Sequence, residues 1–130
     1  MTDSPTRVGI LGFGVSGSVF HAPTVSATPG FELVAVATDF PGHQVKLRTQ
    51  YPQTKLYSDS EEFFADVDDF DLVVVSVTNN LHFDYGMRLV EAGIPAIVEK
   101  PLSSTSEKAR KLVAEAQEKN AFLTVFQNRR

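Results

Sequence analysis

The sequence predicts an α/β domain on a doubly wound parallel sheet of about six strands. Three observations carry that expectation. Short apolar runs alternate with helix-compatible segments along the whole chain. A glycine-rich turn, Gly12-Phe13-Gly14-Val15-Ser16-Gly17, follows the first run directly. Runs such as Leu33 to Ala37 are nearly all apolar, as expected of strands covered on both faces.

Taken in order, the first strand covers about Arg7 to Leu11. A helix follows from about Val15 to Ser26, bent or interrupted at Pro23. Pro29 and Gly30 form a turn, and Phe31 to Thr38 is the second strand. Pro41 suits the first position of a helix reaching about Gln50, which Tyr51 and Pro52 end. Lys55 to Tyr57 is a short third strand. Ser58 to Ser60 precede a short helix carrying Phe63, Phe64 and Ala65, with Glu61 and Glu62 where the helix dipole favours acids. Asp71 leads into the clearest strand, Leu72 to Val77. Asn79 or Asn80 is the expected cap of the next helix, whose Leu81, Tyr85, Leu89 and Ala92 keep helical spacing until Gly93 ends it. Ile94 to Val98 is the fifth strand. Thr105 or Ser106 opens an amphipathic helix with Leu112, Val113 and Ala116 inward, ending near Asn120, and Phe122 to Phe126 is the last strand.

Length and composition bound the function. At 130 residues the chain reads as one domain, large enough to bury about two-thirds of its unfolded surface. A net charge of −4 argues against a nucleic-acid surface. With no cysteine, disulfides and thiolate metal sites are excluded. No apolar run approaches the roughly 18 residues of a membrane span, and the polar start Met1 to Arg7 has no signal-peptide character. The expectation is a soluble, cytoplasmic protein with no membrane partner.

The glycine turn carries the chemistry. Gly12, Gly14 and Gly17 stand at the G-x-G-x-x-G spacing of dinucleotide-binding turns. Gly12 permits the tight turn off the strand, Gly14 lets the backbone approach a pyrophosphate, and Gly17 lets helix and strand pack closely. The helix start then offers free N–H groups to an anion.

Other candidates stand at the ends of later strands, the edge where such sheets bind ligands. An acid about 20 residues past the glycines usually bonds the ribose 2′-hydroxyl of NAD. Glu32 has that spacing but starts its strand, away from the cofactor edge. Thr38 and Asp39 stand at the correct end: Asp39 reads equally as a ribose ligand or a solvated turn residue. Thr38 in place of an acid leaves room for a 2′-phosphate, yet no Arg follows directly, and Lys46 and Arg48 are the nearest cations. The cofactor is therefore NAD or NADP, with a lean to NADP.

Thr78, Asn79 and His82 follow the fourth strand, with Asn79 and His82 one helical turn apart. Asn79 reads equally as a helix cap, and His82 alone reads as a partly exposed surface histidine. Glu99-Lys100-Pro101 follows the fifth strand. A lysine there can bond a substrate hydroxyl or donate to a developing oxyanion, with Glu99 holding its ammonium in place. Taken alone, the tripeptide reads as a surface turn. His21 and His43 lie near helix ends with no evident carboxylate spacing, so no metal site is expected. No G-x-S-x-G elbow is present.

Together these pieces resemble the glucose–fructose oxidoreductase / inositol dehydrogenase family of NAD(P)-dependent enzymes. The matching segments are Gly12 to Gly17, Thr78 to His82, Ala92 to Pro101, and the ending Phe126 to Arg130, similar to the family's inter-domain junction. Gly12 to Pro23 is especially similar to the branch of sugar and scyllo-inositol dehydrogenases, often NADP-linked.

The resemblance implies a Rossmann domain in which Gly12, Phe13, Gly14, Val15 and Gly17 contact the cofactor phosphates. It places Thr38 and Asp39 by the adenosine ribose, Asn79 and His82 on the nicotinamide side, and Lys100 against substrate, assisting proton transfer. Thr78 and Glu99 complete the expected cofactor side. Thr78 departs from the family, which often has proline there. Length departs too. Family members carry a second α+β domain with the catalytic histidine, so residues 1–130 are expected to be a truncated cofactor domain, inactive alone. The function implied is hydride transfer between a nicotinamide cofactor and a sugar or polyol. Two other readings stay open: a non-catalytic nucleotide-sensing or assembly module on the same fold, and a small domain forming a homo-oligomer through its last strand.

Overall fold

The structure is a computed structural model that describes residues 4–127. Residues 128–130 of the expected junction segment lie outside the described residues. Six strands form one sheet: β1 (Thr6–Leu11), β2 (Phe31–Ala37), β3 (Lys55–Tyr57), β4 (Leu72–Val75), β5 (Ala96–Glu99) and β6 (Leu123–Phe126). Their order is β3-β2-β1-β4-β5-β6, and every pairing is parallel. This is the doubly wound arrangement expected, with its switch point between β1 and β4.

Period-two alternation divides the core between the two faces. Val8 and Ile10 of β1 and Val74 of β4 meet Phe13, Ala22 and Leu47 on one side. Leu11, Val73 and Val75 meet Phe63, Phe70, Tyr57 and Leu89 on the other. The first side is covered by α1 (Ala22–Ala27) and α2 (Pro41–Gln50). The second is covered by α3 (Ser60–Ala65) and α4 (His82–Ala92). Helix α5 (Ser106–Glu118) packs on α4 through Leu112, Ala116 and Val90. Val113, expected inward, is 40% exposed, so the apolar stripe of α5 is narrower than its sequence suggests.

Local chemistry explains the element ends. Between the glycine turn and α1 the chain makes a π-helical turn, Ser16–His21, and the Ala22 N–H reaches back to the Gly17 carbonyl. The proline expected to interrupt this helix sits in the first turn of α1, where its missing N–H is tolerated. Asp59 caps α3 by accepting from the Glu61 N–H, and Thr105 caps α5 by accepting from the Lys108 N–H.

The cap expected from Asn79 or Asn80 is not formed. A 3₁₀ turn, Asn79–Leu81, precedes α4, and the Asn80 side chain accepts from the Thr78 hydroxyl instead. That local bond turns the Asn80 amide back toward Thr78, ahead of the helix start, rather than onto the first free N–H groups of α4.

Candidate functional site

Strands β1 and β4 lead their helices to opposite faces, and the loops beyond their C-terminal ends part to form a cleft of about 660 Å³. Its floor is the glycine turn, and the segments after β2 and β4 wall it. The parallel ladder continues one residue past each strand and fixes these walls. Gly12 N–H donates to the Ala37 carbonyl, Ser76 N–H to Leu11, and Thr38 N–H to Tyr57.

The three glycines differ in what surrounds them. Gly12 has φ +99°, and a Cβ there would drive into the Ser76 carbonyl. A Cβ on Gly17 would strike the Gly12 carbonyl, so the helix start sits directly on the turn. At Gly14 an added Cβ meets only His43 Cε1, at 3.9 Å, and would otherwise stand in the cleft. Phe13 reaches the cleft, but its ring is buried against Tyr51 in the core, with ring centroids 6.2 Å apart.

Two hydroxyls in the cleft are poorly satisfied. Ser76 Oγ is buried with no hydrogen-bond partner, and Thr38 Oγ1 is 3.5 Å from His43 Nδ1, at the outer limit for a bond. Asp39 and Asp59 also line the cleft. Lys46, one of the two nearest cations in the sequence, does not line the cleft and donates to Ser18 Oγ at 3.3 Å.

The segment after β5 is held differently from expectation. Glu99 does not hold the Lys100 ammonium: its Oε2 accepts from the Ser16 hydroxyl and lies 2.5 Å from His21 Nε2. The His21 ring is buried and packs edge-on to Phe126, with centroids 4.5 Å apart. His82 is also not the surface histidine that its spacing suggests. It is 1% exposed, with Nδ1 2.6 Å from the Pro101 carbonyl and Nε2 3.0 Å from the Val77 carbonyl. Its ring thus ties the loop after β4 to the loop after β5. Lys100 itself is exposed.

A family model described as an oxidoreductase family with an NAD-binding Rossmann fold, GFO_IDH_MocA, matches residues 6–127. The chain belongs to this family. It is 35% identical over 124 residues to the oxidoreductase YdgJ of Escherichia coli K12, covering 95% of this chain and 35% of the relative. It is 32% identical over 124 residues to the scyllo-inositol 2-dehydrogenase (NADP(+)) IolW of Bacillus subtilis, covering 95% of this chain and 34% of the relative. Among solved structures, GenD2 of gentamicin A biosynthesis, crystallised in complex with NAD, superposes with a TM-score of 0.84 at 29% identity. That match covers 94% of this chain and 34% of the solved one. The chain thus spans about a third of the length of these Gfo/Idh/MocA relatives.

Within this family fold, the cleft gathers Gly12, Phe13, Gly14, Val15, Thr38, Asp39 and Thr78 from the expected site residues. It does not gather Gly17, which packs beneath the turn, or Asn79, His82, Glu99 and Lys100. Ser76, His43 and Asp59 line it without having been expected there. Only position relative to the strand ends could have revealed Ser76, the first residue past β4. His21 had no local signal at all, since its carboxylate partner lies 78 residues away.

The cleft fits an extended anion with hydroxyl groups. The open space above Gly14 admits a group to within contact of the backbone, and Thr38 Oγ1, held by one long contact, keeps hydroxyl capacity beside it.

Proposed function

We propose that this chain is the cofactor-binding part of an NAD(P)-dependent oxidoreductase acting on a sugar or polyol. The carrying observation is the cleft above Gly14, open at the N-terminal end of the Ser16–His21 turn. In this reading the backbone of Gly12 to Val15 takes the pyrophosphate, and Thr38, Asp39 and His43 face the adenosine ribose. Thr78 and the residues after it border the nicotinamide half. Lys100, at the end of β5, bonds the substrate hydroxyl and assists its proton transfer. The bound dinucleotide supplies the hydride chemistry itself. The inositol dehydrogenase IolW supports the polyol class of substrate.

NADP is the favoured partner. Thr38 places a neutral hydroxyl where NAD-selective turns carry an acid, and the His43 ring stands beside it. The carboxylates of Asp39 and Asp59 oppose that choice, so affinity measures the balance directly. A dinucleotide-dependent reaction of this kind belongs with the cytoplasmic cofactor pool.

Calorimetric titration with NADH and NADPH separately tests both parts of the reading. Saturable binding with NADPH the tighter is the expected result. Tighter NADH assigns Asp39 to the 2′-hydroxyl and reverses the cofactor preference. A folded chain that binds neither overturns the dinucleotide reading.

A further inference from the structure

Two of the buried polar side chains among the described residues are histidines, and each bonds a residue flanking Lys100. On one side, His21 Nε2 meets Glu99 Oε2 at 2.5 Å, and the Ser16 hydroxyl donates to the same oxygen. On the other side, His82 Nδ1 meets the Pro101 carbonyl at 2.6 Å while Nε2 meets Val77 at 3.0 Å. The two rings come from different elements behind the crevice. His21 ends the π-helical turn behind the glycines, and His82 opens α4 beyond the β4 loop.

The sheet does not require these bonds. The β5–β6 ladder runs unaided to the Glu99–Phe126 pair. Burying a carboxylate and an imidazole also carries a desolvation cost that an apolar pair would avoid. What the arrangement does achieve is to pin the chain on both sides of one exposed lysine.

We propose that His21, acting through Glu99, and His82, acting through the Pro101 carbonyl, are positioning residues that hold Lys100 at the nicotinamide end of the dinucleotide site. The inference rests on the reading of that site given above, and it extends it to two residues outside the cleft. Neither histidine touches the cofactor. Each acts by fixing where the lysine stands, with its ammonium in reach of the nicotinamide half of the dinucleotide as well as of the substrate hydroxyl.

The test uses the chain with two ligands: the tighter of NADH and NADPH, and the adenosine half of that dinucleotide, 5′-ADP or its 2′-phosphate. His21→Leu and His82→Leu are each expected to weaken the dinucleotide by about fivefold. The adenosine half should stay within about twofold. His21→Gln keeps an N–H donor for Glu99 and restores affinity. Lys100→Ala gives the same dinucleotide-specific loss, and adding His21→Leu to it costs nothing further.

Thermal unfolding checks each variant, and His82→Gln replaces His82→Leu if the latter does not fold. Equal loss of both ligands, no loss, or a His21→Leu loss that persists undiminished without Lys100 overturns the inference while leaving the dinucleotide reading intact. Failure of the folded wild-type chain to bind either dinucleotide overturns both.

Discussion

At Gly14 an alanine methyl meets one atom, His43 Cε1, at 3.9 Å; at Gly12 it meets the Ser76 backbone. The same change therefore acts on different quantities two residues apart. Gly12→Ala forces a side chain onto a φ of +99° as well as into that carbonyl, and is expected to destabilise the fold by about 2 kcal/mol or more. Gly14→Val places its branches in the cleft, so stability should stay within about 0.5 kcal/mol. Dinucleotide affinity should fall at least roughly tenfold, as pyrophosphate and side chain compete for one volume. Urea denaturation and calorimetry on both variants separate the two effects. Equal stability losses at both positions would contradict the geometry.

At the scale of elements, α3 and α4 are joined across the sheet face by Glu61 and Arg88. The guanidinium makes bonds of 2.8 and 3.0 Å to the two carboxylate oxygens and lies 3.8 Å from the centre of the Phe64 ring. Hydrogen bonding from Arg88, then its charge, lowers the Glu61 pKa below the ordinary carboxylate value. The folded state therefore binds this proton less readily than the unfolded state. The stabilisation is fully present above the unfolded value of about 4.3 and is lost as pH falls through the lower folded value. Glu61→Gln should be less stable than the wild type at pH 7, by a small margin because the pair is solvent-facing. That difference should close as the pH drops below about 4. Denaturation midpoints of both proteins from pH 7 to 3 provide the check, and a gap that widens toward acid would refute it.

For the whole molecule, what was legible in the sequence was local, and what was hidden was long-range. Pro41 to Gln50 and Lys55 to Tyr57 follow from prolines, turn residues and apolar spacing, and the structure forms both with those ends. The glycine turn was readable because three glycines within six residues each meet a local need of one turn. The roles of His21, Glu99 and His82 were hidden because sheet order creates them. Only β1-β4-β5-β6 adjacency brings residue 21 to residue 99 and ring 82 to carbonyl 101.

That order also predicts how the molecule opens. β1 and β4 are central, covered on both faces and paired on both sides, with Val8, Ile10, Leu11, Val73 and Val75 fully buried. β3 and β6 are three- and four-residue edge strands with a largely half-exposed pattern. Amide exchange should therefore be slowest at Ile10 and Val74, approaching the global unfolding free energy, and faster by at least about tenfold at Leu56 and Val125. Dinucleotide at a hundred times its dissociation constant adds about 2.7 kcal/mol to the global opening. If the ligand spans the walls after β1, β2 and β4, protection should rise at the central strands. β3 and β6 should gain less, since their local fraying leaves the site intact. Uniform gains at all four strands would mean that the edges open only with the whole sheet.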